Sequence, residues 1–321
     1  MNEPRPHWGE IRAKRIRKNE GKLRFFGVPM DLGQDRRGVD MGPSAVRAAG
    51  FAAKLGPLGL EIRDEGDVFV PSPEARSMGN QEAKFLAEIA ETCDELSLRV
   101  EASMDAGERP IVVGGDHSIA IGTVAGVSSH FHKKGESIGL LWVDAHADMN
   151  TPESSPSGNV HGMPLACCLG IGPEELTSLR GFAPKVNRNN VVLLGIRNLD
   201  DVEREIVKKS GVHAFTMRDL DVRGMADVME EALSLLCEGT QGFHVSFDVD
   251  GLDPSIAPGV GTPVRGGLSF REAHLLMEMV SDSHKALSFE MTEINPILDQ
   301  RNATAEIAVD LLLSGLGKRI L

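Results

Sequence analysis

The stretch that most limits the fold is Ile138 to Val143, an apolar run that stops at Asp144, His146 and Asp148. An unbroken apolar run marks a strand buried on both faces, which calls for a parallel sheet with helices on each side. The polar residues that follow fall two apart, and a strand places residues i, i+2 and i+4 on one face. Continued past Val143, that alternation predicts two carboxylates and an imidazole pointing the same way, with Asn150 next in the series. Such a trio is costly to bury without a shared partner, and a divalent metal is the usual one. In open α/β sheets ligands bind at that carboxyl edge of the strands.

Similar runs recur along the chain. Leu23–Val28, Leu60–Arg63, Pro110–Val113, Asn190–Ile196, Val212–Phe215, Phe243–Phe247 and Ala286–Met291 read as further strands. Helices are predicted from Pro43 to about Leu55, from Gln81 to Ala106, and from the Gly114–Ser118 turn to about Ser129. Others start near Asp200 and span Met225–Cys237, Ser269–Ser281 and Asn302–Leu316. The long helix carries Phe85, Ile89, Leu96, Val100 and Met104 at helical spacing, the pattern of a core-facing helix. This alternation predicts an α/β fold of three layers, a mostly parallel sheet of about eight strands with helices on both faces. Residues 23–321 are expected to form a single domain, with 1–22 a poorly ordered N-terminal extension. Thr151 to Asn189 is too long a connection to be idle, and reads as a substrate-facing loop with some helix.

Charge narrows the partners. The chain has 34 basic and 47 acidic residues, a formal charge of −13, which disfavours nucleic acid and anionic membranes and suits a cationic small molecule. The four cysteines, Cys93, Cys167, Cys168 and Cys237, show no Cys-x-x-Cys pattern and read as reduced thiols. No apolar run reaches the ~18 residues of a membrane span. Met1 to Lys22 is basic but holds Glu3, Glu10 and Glu20 and no apolar core, so a secretory signal is excluded and a transit peptide disfavoured. A cytoplasmic protein is expected.

Three strands end in acid or imidazole: Val113 before Asp116 and His117, Val143 before Asp144, and Phe247 before Asp248. Taken singly, such an Asp is an ordinary helix cap. Three together, with Asp144-x-His146-x-Asp148 and Asp248-x-Asp250, point to a metal site. Carboxylates and imidazoles without thiolate favour a metal such as manganese over structural zinc. Four aspartates and two histidines are too many for one ion and suit two that share a carboxylate and activate a water between them.

Gly114-Gly115-Asp116-His117-Ser118, Asp144-Ala145-His146-Ala147-Asp148 and Ser246 to Pro254 resemble the three signatures of the ureohydrolases, and Asn150 to Gly162 resembles the arginase branch. The resemblance implies two Mn²⁺ per subunit. His117, Asp144, Asp148 and Asp248 would hold one ion, and Asp144, His146, Asp248 and Asp250 the other. It further implies hydrolysis of L-arginine to L-ornithine and urea by a metal-bridging hydroxide, with Asp148 stabilising the intermediate. Glu293 would bind the guanidinium as a bidentate clamp, and His161 would act as proton shuttle or general acid. Asn150, Ser155 and Ser157 match positions that bind the α-carboxylate; Asp200 and Glu203 match acids that face the α-ammonium, although both also suit the first turn of a helix. Asn198 stands where some relatives carry an acid, and Thr262 is expected to stand behind the metal ligands. The pair Arg271 and Glu272 matches a subunit contact, so a homo-oligomer, trimer or hexamer, is implied. Two alternatives stand beside this: a ureohydrolase acting on agmatine or guanidinobutyrate, and a non-catalytic arginine-binding regulator.

Overall fold

The computed structural model describes residues 21–319, so the expectation for the N-terminal extension lies outside the described residues except at its last two positions. Lys22 already belongs to the first strand, β1 (Lys22–Val28). The others are β2 (Glu61–Asp67), β3 (Arg109–Gly114), β4 (Gly139–Val143), β5 (Val191–Ile196), β6 (His213–Thr216), β7 (Phe243–Asp248) and β8 (Ala286–Thr292). They form one sheet in the order β2-β1-β3-β8-β7-β4-β5-β6. Every neighbouring pair is parallel.

The helices are α1 (Gly42–Ala48), α2 (Phe51–Leu55), α3 (Leu86–Asp105), α4 (Ala120–His132), α5 (Pro164–Cys168), α6 (Glu174–Thr177), α7 (Asp201–Ser210), α8 (Met217–Arg223), α9 (Met225–Cys237), α10 (Phe270–Ser283) and α11 (Ala303–Gly315). Two cores form, one on each face. Leu141 and Val143 of β4 pack with apolar residues of α1, α2 and α8–α11. Leu140 and Trp142, pointing the other way, pack with residues of α3–α7. The unbroken apolar run is therefore buried on both sides, as its sequence requires.

Several boundaries differ from expectation for physical reasons. The helix expected from Pro43 to Leu55 is broken into α1 and α2 at Gly50, which takes a left-handed φ of 80°. Helix α3 starts at Leu86 rather than Gln81. The chain before it is bonded elsewhere: Phe85 N donates to Met78 O, and Lys84 N to Gly158 O in the long loop. Strand β2 is longer than Leu60–Arg63, running to Asp67 as a charged, largely exposed edge. Helix α8 was not expected, yet Thr216 and Asp219 form a reciprocal capping box at its start, a signal visible in the sequence. The 151–189 connection holds the short helices α5 and α6. Cys93, Cys167, Cys168 and Cys237 are free thiols, as expected. No described helix is long and apolar enough to cross a membrane.

Strand order is what builds the site. Chain segments far apart in sequence, β3, β8, β7, β4 and β5, lie side by side, and the exits of all five open onto one edge. Between β7 and β4 the connections leave in opposite directions, toward β8 and toward β5, which is where an open sheet leaves a crevice.

Candidate metal centre

Asp144, His146 and Asp148 do converge, but not by strand alternation. Regular strand ends at Val143, and Asp148 takes a left-handed φ of 52°. The loop is held from several sides. Asp144 N donates to Leu194 O, Ala145 O accepts from Arg197 N and Asn198 N, and Asp148 O accepts from Leu165 N and Ala166 N at the start of α5. Asp is among the few side chains that tolerate positive φ, and such conformations concentrate where surrounding structure enforces them.

His117 follows β3, where Gly115 passes so close to the loop after β1 that a Cβ there would lie 1.8 Å from Met30 O. His117 Nδ1 lies 3.2 Å from Asp144 Oδ2, 3.1 Å from Asp148 Oδ2 and 3.2 Å from Asp248 Oδ2. His146 Nδ1 lies 3.1 Å from Asp250 Oδ2 and 3.4 Å from Asp144 Oδ1. His117, Asp144 and Asp148 thus make one group of ligand atoms, and Asp144, His146 and Asp250 a second, with Asp144 common to both. Asp248 falls in neither group; its Oδ2 lies 3.2 Å from His117 Nδ1, beside the first, while its Oδ1 accepts from Asp250 N.

The fit of a cation can be judged from His117 itself. Its Nε2 lies 2.8 Å from Ser246 Oγ, and that hydroxyl donates to Glu290 Oε1. A hydroxyl has one proton to give, so Ser246 accepts from Nε2–H. In the neutral imidazole Nδ1 is then a bare lone pair. It is buried without a hydrogen-bond partner, in the midst of three carboxylate oxygens. Only a proton or a metal ion satisfies that arrangement. The His117 ring is further held by stacking on Trp142, centroids 4.1 Å apart, whose Nε1 donates to Asp144 Oδ2.

Without a metal, protons take the place of the ions. Burial pushes His117 down, but Asp144, Asp148 and Asp248 outweigh it and raise it well above the usual imidazole range. His146 is raised to about 12 against the effect of burial, chiefly by Asp250 and then Asp144. Burial and then the charge of Asp144 lift Asp148 to about 6. Asp248 is raised strongly by burial and by Asp250 and Asp144. Asp144 faces the same burial, yet the two histidines hold it below the ordinary range. So many carboxylates packed together cannot all stay ionised without added positive charge.

Behind the cluster stands Glu293, only 1% exposed, with a φ of 65° and its N–H on Gly115 O. Its Oε1 accepts from His117 N and from His161 Nδ1, each at 3.1 Å, and its Oε2 accepts from Gln34 Nε2 at 2.9 Å. Burial lowers His161, but Glu293 outweighs it and lifts the imidazole to about 9.

A cavity of about 300 Å³ opens over the cluster and is lined by His146, Asp148, Asn150, Ser155, Ser157, His161, Asn198, Asp200, Glu203, Asp248 and Thr262, among others. Asn150 bridges the rim, donating to Asp200 Oδ2 and accepting from Ser154 Oγ. Asp200 does cap α7 through Val202 N and Glu203 N, and it faces the cavity as well. Glu203 accepts from Met149 N and is pushed up to about 8, first by burial. Ser155 and Ser157 accept from backbone N–H groups of the loop they stand on. Thr262 donates to Asp250 Oδ2 from the cavity side rather than from behind the cluster. A separate cavity of about 360 Å³ contains none of these residues.

Four supporting residues were given no role from the sequence. Ser246 and Glu290 are polar breaks in apolar strands, a visible signal. Arg197 donates to the carbonyls of Asp250, Gly251, Leu252 and Val264, tying the β5 exit to the β7 exit. Gln34, in a charged loop, carried no signal at all.

Comparison with known proteins gives a consistent picture. The arginase family model matches residues 22–317. The arginase of Brevibacillus brevis is 51% identical over 299 residues, covering 93% of this chain and 99% of that one. The solved native structure of Bacillus caldovelox arginase shares 48% identity with a TM-score of 0.90, covering 94% of this chain and all (100%) of the other. The Entamoeba histolytica arginase solved with L-ornithine is 33% identical with a TM-score of 0.85, covering 93% and 99% of the two chains.

Proposed function

The chain belongs to the arginase family, and we propose that it hydrolyses L-arginine to L-ornithine and urea. The observation that carries this is the floor of the cavity: two groups of His and Asp ligand atoms that share Asp144. We assign His117, Asp144, Asp148 and Asp248 to one ion and Asp144, His146, Asp248 and Asp250 to the other. Manganese suits a donor set of carboxylates and imidazoles with no thiolate. When bound, a pair of divalent ions supplies a nucleophile from water near neutral pH.

The remaining work falls to the chain's own groups. We assign Glu293 to the guanidinium: it stands behind the cavity lining, with three of its roughly four lone-pair positions filled by His117 N, His161 and Gln34. Asn150, Ser155 and Ser157 are assigned to the α-carboxylate, and Asp200 and Glu203 to the α-ammonium. A cation beside Glu203 favours its ionised form, offsetting the burial that holds it protonated. Orienting a guanidino carbon between rim and floor removes rotational freedom that would otherwise raise the barrier by several kcal/mol, up to about 7–11. Asp148 stabilises the tetrahedral carbon intermediate and its proton. His161, whose imidazole Glu293 raises to about 9, is assigned the proton that passes to the ornithine amine as the C–N bond breaks. The water oxygen ends in urea.

The closest rival substrate, agmatine, lacks the carboxylate that the 150–157 rim would bind. Urea release from arginine and from agmatine, with manganese, decides between them. Arginine is expected to be turned over far better, and equal or better turnover of agmatine overturns the assignment. The same reading makes the protein a cytoplasmic homo-oligomer, trimer or hexamer, whose size sedimentation velocity measures.

A further inference from the structure

The loop between β1 and α1 touches the proposed proton donor and the proposed guanidinium partner at once. Gly33 N donates to Asp116 Oδ2 at 2.8 Å, which fastens the loop to the turn after β3. Gly33 O accepts from His161 N at 3.0 Å. The next residue, Gln34, is 7% exposed and donates through Nε2 to Glu293 Oε2. Asp35 continues the attachment through Lys84, whose Nζ also reaches Asn159 Oδ1.

A carboxylate on a flexible stem turns freely about its last bond unless both oxygens are held. Oε1 of Glu293 is held by His161 and a backbone N–H; Oε2 has Gln34 as its hydrogen-bond donor. The orientation of the Gln34 amide follows from chemistry, since an amide oxygen turned to a carboxylate would repel it and only the NH₂ end can face it. That leaves Gln34 Oε1 buried and without a hydrogen-bond partner, a cost the fold retains.

We propose that Gln34 is a positioning residue for the reaction: by holding Oε2 it sets the carboxylate plane of Glu293, and with it the His161–Glu293 pair, toward the guanidino group. This rests on the reading of Glu293 and His161 given above. Without the amide, Oε1 keeps its donors while Oε2 swings, so the guanidinium meets a carboxylate of undefined direction.

The test is a double-mutant cycle on the full-length, manganese-loaded protein, using Gln34→Met, which keeps length and removes the donor, and Glu293→Ala, which removes the acceptor. Bound manganese per chain and the unfolding midpoint are measured on each variant. Gln34→Met is expected to retain its metal content and to lose about tenfold or more in kcat/KM for arginine. In the Glu293→Ala background the same change should alter kcat/KM within about twofold, because the group through which Gln34 acts is gone. Equal losses in both backgrounds, loss of metal in Gln34→Met, or no loss in the wild-type background each overturn the proposal. If the wild type releases no urea, the arginase reading has failed. Arginine then persists in the sample, and the same cycle read as its Kd by calorimetry still decides the role of Gln34.

Discussion

Ser246→Ala isolates the tautomer argument from the rest of the site. Ser246 is fully buried at 0% exposure, and its hydroxyl joins His117 Nε2 to Glu290 Oε1, each at 2.8 Å. Removing it leaves a buried ring N–H unpaired, while Glu290 keeps Thr123. That unpaired group costs the fold about 1–3 kcal/mol. Stacking on Trp142 still restrains the plane of the His117 ring, but nothing fixes which nitrogen carries the proton. Loss of such a partner behind a ligating histidine lowers metal affinity by about 10- to 100-fold, or about 1.4–2.7 kcal/mol. Among the described residues the Ser246 hydroxyl bonds to His117 and Glu290, and not to His146 or Asp250. The weakening is therefore expected at the ion shared by His117, Asp144 and Asp148, with the Asp144–His146–Asp250 ion changed within about threefold. Manganese titration by calorimetry, with metal analysis after dialysis, resolves the two affinities. Undiminished binding at both would refute the tautomer assignment, and equal weakening at both would show only a general loosening of the fold.

Asp148→Ala and His146→Ala should each lose bound manganese and nearly all urea release, and unchanged metal stoichiometry would contradict the ligand assignment. Asn150→Ala and Ser157→Ala should reduce kcat/KM for arginine more than for agmatine, whereas equal losses would count against the rim. Manganese affinity should fall as pH falls, because His117 and His146 are raised above the ordinary imidazole range and each ion must displace protons. Calorimetry in two buffers of different ionisation enthalpy should show net proton release, and zero release would exclude protonated ligands in the metal-free site. In the metal-free protein the raised His146 stabilises the fold fully below its unfolded value of about 6.5. That contribution fades as pH rises toward about 12, so the metal-free unfolding midpoint should decline in that direction.

Much of this protein was determined by sequence alone. Unbroken apolar runs alternating with amphipathic helices leave little choice but a parallel sheet covered on both faces, and the three polar strand endings name the candidate ligands by residue type. Burial leaves such groups few alternatives, so local pattern suffices. The tertiary structure decided the rest. Strand order brought β7 and β8 between β3 and β4, which is how Asp250 reaches Asp144, and Asp248 reaches His117, across about a hundred residues. Asp144, His146 and Asp148 were expected to share a face by alternation. They meet instead in a loop where contacts from β5 and α5 hold Asp148 at positive φ, and no local rule foretells a conformation that distant neighbours impose. Gln34 is the extreme case. Its residue type and setting say nothing, and its importance exists only because β1 passes close enough to β3 to lay that loop against Glu293.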